Sequence, residues 1–166
     1  YVINLRTGSI EQRSLLSLAG SPTRATVTVD GQLVSQKLPL VVRGLVAGQH
    51  AVRISAPGYH DWQLATNIGP GVATVRDTIL LFRTQPVEQP TTDRLALGDR
   101  SVIDPNLVVD GGELSLLIGA QRRLITRFSQ PVVAARLSND RQHVYLQLGN
   151  EIYVTELDGA NTTLLP

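Results

Sequence analysis

The sequence predicts an all-β protein: a small β-sandwich followed by antiparallel, propeller-like blade strands that form an incomplete propeller. Three observations carry this. Apolar and polar residues alternate with period two, as in Ala25, Val27 and Val29 against Thr26, Thr28 and Asp30. Turn residues recur roughly every eight to twelve positions, the spacing of short antiparallel strands. No segment of the 166 residues has helical period, and no apolar run reaches the roughly 18–20 residues that span a bilayer.

The elements follow in order. Residues 1–13 form an N-terminal extension in which Tyr1, Ile3 and Leu5 alternate with Val2 and Asn4, the pattern of a short strand. The sandwich is expected over 14–85. Leu15, Leu16 and Leu18 open it before Gly20, and the alternating run at Ala25–Val29 ends at Asp30-Gly31, a hairpin turn in which glycine accepts positive φ. Leu38–Val42 is a short apolar run beside Pro39, as edge strands often are. Beyond the Gly48 corner, Val52, Ile54 and Ala56 alternate with Arg53 and Ser55. Trp62–Ala65 and Val72–Phe82 supply the last strands.

The spacing of Pro22, Ala25, Asp30-Gly31, Pro39, Gly48 and Gly58-Tyr59 resembles the PEGA domain, over about residues 20–85. Arg24 stands where that family usually has glycine. The resemblance implies a β-sandwich module of bacterial and archaeal cell-envelope proteins, extracytoplasmic and binding or spacing rather than catalytic.

Residues 86–94, with Pro86 and Pro90 in a polar setting, read as a linker to a partial propeller-like region over 95–166. Strands are expected at Leu114–Ile118, at Arg122–Phe128 with Leu124 and Phe128 on one face, at Val132–Leu137, His143–Leu148, Ile152–Glu156 and Thr162–Leu165. Turns fall at 138–141, Gly149-Asn150 and Asp158-Gly159, and 108–113 is a weaker copy of the first. Four antiparallel strands with tight polar turns make one propeller blade. The run from Ala135 to Leu165 resembles the repeat of Tol-type and WD-like propellers within about residues 105–165, with Asn139 and Arg141 replacing a usual proline and glycine. Propellers need about four to eight blades of about 40–45 residues. The chain is therefore expected to continue past Pro166, or to close with another chain.

Composition narrows the function classes. There is no cysteine, hence no disulfide or thiolate site. A chain that opens on Tyr1 and lacks methionine is expected to continue upstream, where a signal peptide or membrane anchor has room. Residues 1–85 carry 8 basic and 4 acidic side chains, and 86–166 carry 7 and 10, for a total of +1. The only adjacent basic pair is Arg122-Arg123, far from the dense basic face of a nucleic-acid reader. No nucleic-acid partner is expected.

Tyr59, His60 and Trp62 are the candidate ligand-binding residues. Aromatic rings stack on sugars and a neighbouring His60 or Asp61 can hydrogen-bond hydroxyls; equally, Tyr59 and Trp62 can pack inward as part of the fold. Asp30-Gly31 and Asp158-Gly159 read as turns before they read as catalytic carboxylates. His50, His60 and His143 have no ligand spacing, and Asp104, Asp110 and Glu113 lack the alternating calcium-loop pattern, so no metal or cofactor is expected. No activated nucleophile or pair of differently tuned acids can be assembled. The expected function is a non-catalytic envelope protein, membrane-tethered in its full-length form, presenting its propeller-like part to a protein or envelope polymer. The alternatives are a carbohydrate- or peptidoglycan-binding module built on Tyr59 and Trp62, or an accessory module of a larger enzyme or sensor kinase.

Overall fold

A computed structural model describes residues 2–4, 9–85 and 103–165, with side chains from 12–85 and 103–165. The linker segment 86–94 lies outside the described residues. The chain divides into two compact units, Tyr1–Arg83 and Thr84–Pro166, and every described element is a strand.

Unit 1 opens with an antiparallel pair, β1 (Val2–Asn4) and β2 (Ser9–Glu11). Two sheets then form the sandwich. In the three-stranded sheet β3 (Ser14–Ser21) lies between β6 (Leu40–Leu45), antiparallel to it, and β9 (Ala73–Leu80), parallel to it. The four-stranded antiparallel sheet has the order β5 (Gln32–Ser35), β4 (Thr26–Val29), β7 (Gly48–Ser55), β8 (Trp62–Ile68). Alternation decides which side chains meet between them. Leu16 and Leu18 of β3, Val27 and Val29 of β4, Val52 and Ile54 of β7, Trp62 and Ile68 of β8 and Ile79 of β9 are buried in one core. Each fully buried aliphatic side chain contributes about 1.5–3 kcal/mol.

Polar stitching completes the unit. Ser14 is buried at the start of β3, where its hydroxyl donates to the Gly69 carbonyl at 2.6 Å and accepts from the Val72 amide at 3.3 Å. This holds the β8–β9 turn against β3. Gly20 marks the closest approach of β3 and β9, since an added Cβ would strike the Ile79 carbonyl. Leu38, expected to begin a strand, is instead a core residue of the turn that precedes β6, whose pairing starts at Leu40. Arg24 needs no left-handed backbone; among the described residues the non-glycine positions with positive φ are Asp30, Arg141 and Asn161.

Unit 2 has a three-stranded antiparallel sheet of β10 (Leu107–Asp110), β11 (Glu113–Ile118) and β12 (Gln121–Arg127). A four-stranded antiparallel meander follows: β13 (Val132–Leu137), β14 (His143–Leu148), β15 (Glu151–Glu156) and β16 (Thr163–Leu165). Leu107, Leu114 and Ile125 from the first sheet share a core with Val132, Ala135, Val144, Leu146 and Leu148 from the second. The meander has the strand content of one blade. Among the described residues, however, neither sheet closes into a propeller, and the first has three strands rather than four.

Two local features depart from the expected pattern. On β12 the buried residue is Ile125, while Leu124 is exposed, because a bulge pairs Leu124 with Ser115 and Thr126 with Leu114 and leaves Ile125 over. Arg141, in the place of a usual glycine, takes the left-handed backbone that glycine accepts at little cost (φ +55°).

Candidate functional site

The strand order brings four segments of unit 1 to one end of the sandwich. They are residues 22–25 between β3 and β4, 36–39 between β5 and β6, 56–61 between β7 and β8, and 81–83 after β9. Backbone hydrogen bonds tie them together. The Leu38 amide donates to the Thr23 carbonyl at 2.8 Å, Leu81 to Ser21 at 3.0 Å and His60 to Phe82 at 2.8 Å.

The 56–61 corner is built from its sequence. Pro57 and Gly58 occupy the centre of a turn closed by the Tyr59 amide on the Ala56 carbonyl at 3.1 Å, and Gly58 takes the positive φ (+77°) that this turn requires. Tyr59 leaves the turn half-buried and packed on the core, and its backbone forms an antiparallel bridge with Arg83. The Arg83 guanidinium sits 5.6 Å from the centre of the Tyr59 ring, within cation–π range. Asp61 accepts from Arg53 Nε at 2.9 Å and is also contacted by Arg53 Nη2.

The three sequence-predicted residues therefore separate. Tyr59 and His60 stand half-buried on the corner. Trp62 is 3% exposed and lies in the core beside Ile54, so its ring offers no face to a ligand. Exposed Arg24 and Lys37, together with Arg83, are cations of this end that local spacing did not single out. Their signal is the basic excess of residues 1–85, and only the fold shows which of these cations share an end.

The other end of the sandwich holds a different device. Asp30 and Gly31 (φ +51° and +78°) make the β4–β5 hairpin turn. Asp30 accepts from the Ala51 amide at 2.9 Å, and its second oxygen lies 2.7 Å from His50 Nδ1. His50 Nε2 lies 2.7 Å from the Val46 carbonyl in the β6–β7 turn. Both ring nitrogens face acceptors, so the imidazolium, with a proton on each, fits best. The Ala51 amide and then His50 hold the Asp30 carboxyl below its usual range. The Val46 carbonyl and then Asp30 raise the His50 pKa above 6.5. A raised folded-state pKa stabilises below the unfolded value and is lost as pH rises through the folded one. Unit 1 is accordingly expected to lose stability as pH climbs above 6.5, and H50Q to lose that slope; urea titrations at a series of pH values check it.

In unit 2, Ser138, Asp140 and His143 meet in the β13–β14 turn. The Ser138 hydroxyl contacts Asp140 Oδ1 and accepts from the His143 amide at 3.0 Å, and buried His143 presents Nδ1 to Asp140 Oδ2 at 3.3 Å. Burial raises the Asp140 pKa, but bonds from the Ser138 hydroxyl and the Gln142 amide, together with His143, outweigh it and leave the carboxyl below its usual value. A hydrolase triad runs serine to histidine to carboxylate. Here the carboxylate sits between the other two, an arrangement that locks a turn.

Asp104 caps its own turn by accepting from the Asn106 amide at 2.9 Å, and Glu113 pairs with Arg127 at 2.6 Å. Among the described residues no cluster of three histidines or carboxylates is placed to hold a metal, and no helix is long and apolar enough to cross a membrane. No curated protein matches the chain. The likeness of residues 105–165 to propeller repeats rests on the strand pattern alone. Residues 13–80, from the eve of β3 to the last residue of β9, match the family model of the PEGA domain.

Proposed function

We propose that the chain is a non-catalytic, extracytoplasmic binding and spacer protein of the cell envelope, with the loop end of unit 1 as its ligand face. The observation that carries this is the PEGA match over residues 13–80, a span whose strands place those loops together at one end. Loops held on a rigid sandwich are where such folds bind. In the full-length protein a membrane tether presents both units outside the membrane, and the open sheets of unit 2 meet a protein or envelope polymer.

The carbohydrate platform of Tyr59 and Trp62 is set aside, because Trp62 fills the core and the Tyr59 ring carries Arg83. The test is protease added to intact cells that express the full-length protein. Cleavage of both units, with a cytoplasmic marker left whole, is the expected result. Protection of the units until the cells are lysed would overturn the extracytoplasmic reading.

A further inference from the structure

We propose that the loop end of unit 1 binds a carboxylated polysaccharide, with Arg24 and Arg83 taking carboxylates of its sugar units. This deepens the binding-module reading above and rests on it. The four segments at this end carry Arg24, Lys37 and Arg83, and their one carboxylate, Asp61, is engaged by Arg53. The end is therefore cationic with no competing acid of its own. At the opposite end Asp30 is held by His50.

Three further observations select the class of ligand. A neutral sugar needs an aromatic face, and the two that the sequence offered are taken, with Trp62 in the core and the Arg83 guanidinium over the Tyr59 ring. The loss of those two faces equally disfavours single-stranded nucleic acid. The Arg83 guanidinium, 5.6 Å from the Tyr59 ring centre, keeps N–H groups that can donate to an oxyanion. A phosphate site is commonly lined by backbone amides. Here the amides of Leu38, Tyr59, His60 and Leu81 all donate to carbonyls within the fold, and that of Lys37 donates to Ser35 Oγ at 3.2 Å. Arg24 and Arg83 supply planar guanidinium forks, which match the two oxygens of a carboxylate. Tyr59 acts as a positioning residue that holds the Arg83 guanidinium at this end.

Affinity gel electrophoresis of the 166-residue chain tests this, with polygalacturonate as probe and dextran, polyphosphate and polyglutamate as comparisons. Polygalacturonate is expected to retard the chain, dextran not at all and the other two weakly. Retardation should vanish near 1 M salt, where the screening length is about 3 Å. R24A and R83A should each weaken it about tenfold. R43A, which removes an equal charge from β6, should leave it unchanged. Y59L should weaken retardation and Y59F restore it, as expected of a residue that positions Arg83. Buried emission from Trp62 reports that each variant is folded.

No retardation by polygalacturonate, equal retardation by polyphosphate or polyglutamate, or equal losses in R43A and R83A would each overturn the proposal. Retention of the chain by isolated envelopes separates the two levels. If envelopes hold the chain while polygalacturonate does not, the ligand class falls and the binding-module reading stands. If neither holds it, both fall.

Discussion

Truncating Trp62 to alanine is expected to remove about 3–5 kcal/mol from unit 1, the range for deleting a buried aromatic side chain. Small domains hold about 5–15 kcal/mol in all, so the variant should sit near the edge of folding. The ring lies between the sheets at the start of β8, opposite Ile54 on β7, inside a core to which β3, β4, β7, β8 and β9 all contribute. W62F keeps most of the apolar volume and should cost about 1–2 kcal/mol, as imperfect core replacements do. Trp62 is the sole tryptophan, so circular dichroism in urea is the appropriate readout for both variants.

The pair also separates the two sequence readings of this residue. A binding platform would make W62F stable but defective in ligand retention. A core residue makes it less stable and, while folded, unimpaired in retention. A W62F chain with unchanged unfolding and lost retention would return Trp62 to the surface and undo the burial argument.

Much of the fold was legible because strand alternation is local. In β8, Trp62, Leu64, Thr66 and Ile68 face one way and Gln63, Ala65 and Asn67 the other, so the inward reading of Trp62 was already present in the sequence. Asp30-Gly31 likewise announced its hairpin. What was hidden depends on contacts between residues distant in the chain. Nothing in the β3 or β9 sequence marks them as a parallel pair, and β9 places Arg83 against Tyr59. The cationic end thus emerges only when four loops are brought together. The bulge that buries Ile125 was hidden for a related reason, since one extra residue reverses the facing that regular alternation predicts. In unit 2 the four-strand meander was readable from its turns. Closure into a propeller is a property of several blades at once, and the strand pattern of one blade does not encode it.

Replacing Gly159 by alanine should have the largest effect on unit 2, about 2–4 kcal/mol, because two costs fall on one residue. Gly159 has φ +81°, a left-handed backbone that costs a residue with a Cβ about 1 kcal/mol. Its missing Cβ also faces the carbonyl oxygen of Ile125, against which the added carbon would be driven. That neighbour is backbone in β12 and cannot rotate away, so relief requires the Asp158-Gly159 turn to lift from the strand. Overpacking of this kind costs about 1–3 kcal/mol. Arg123 Nη2, which donates to the Leu157 carbonyl at 3.3 Å, would lose its anchor in the same movement. Gly111 provides the control within the same unit. It has φ +56° but open space around its would-be Cβ, so G111A should cost only the conformational share, about 1 kcal/mol. Hydrogen exchange over residues 105–165 compares the two variants. Faster exchange throughout β12–β16 in G159A, against a small change in G111A, is the expected outcome. Equal effects would mean that backbone conformation alone governs both turns, and that the Asp158-Gly159 turn does not rest on β12.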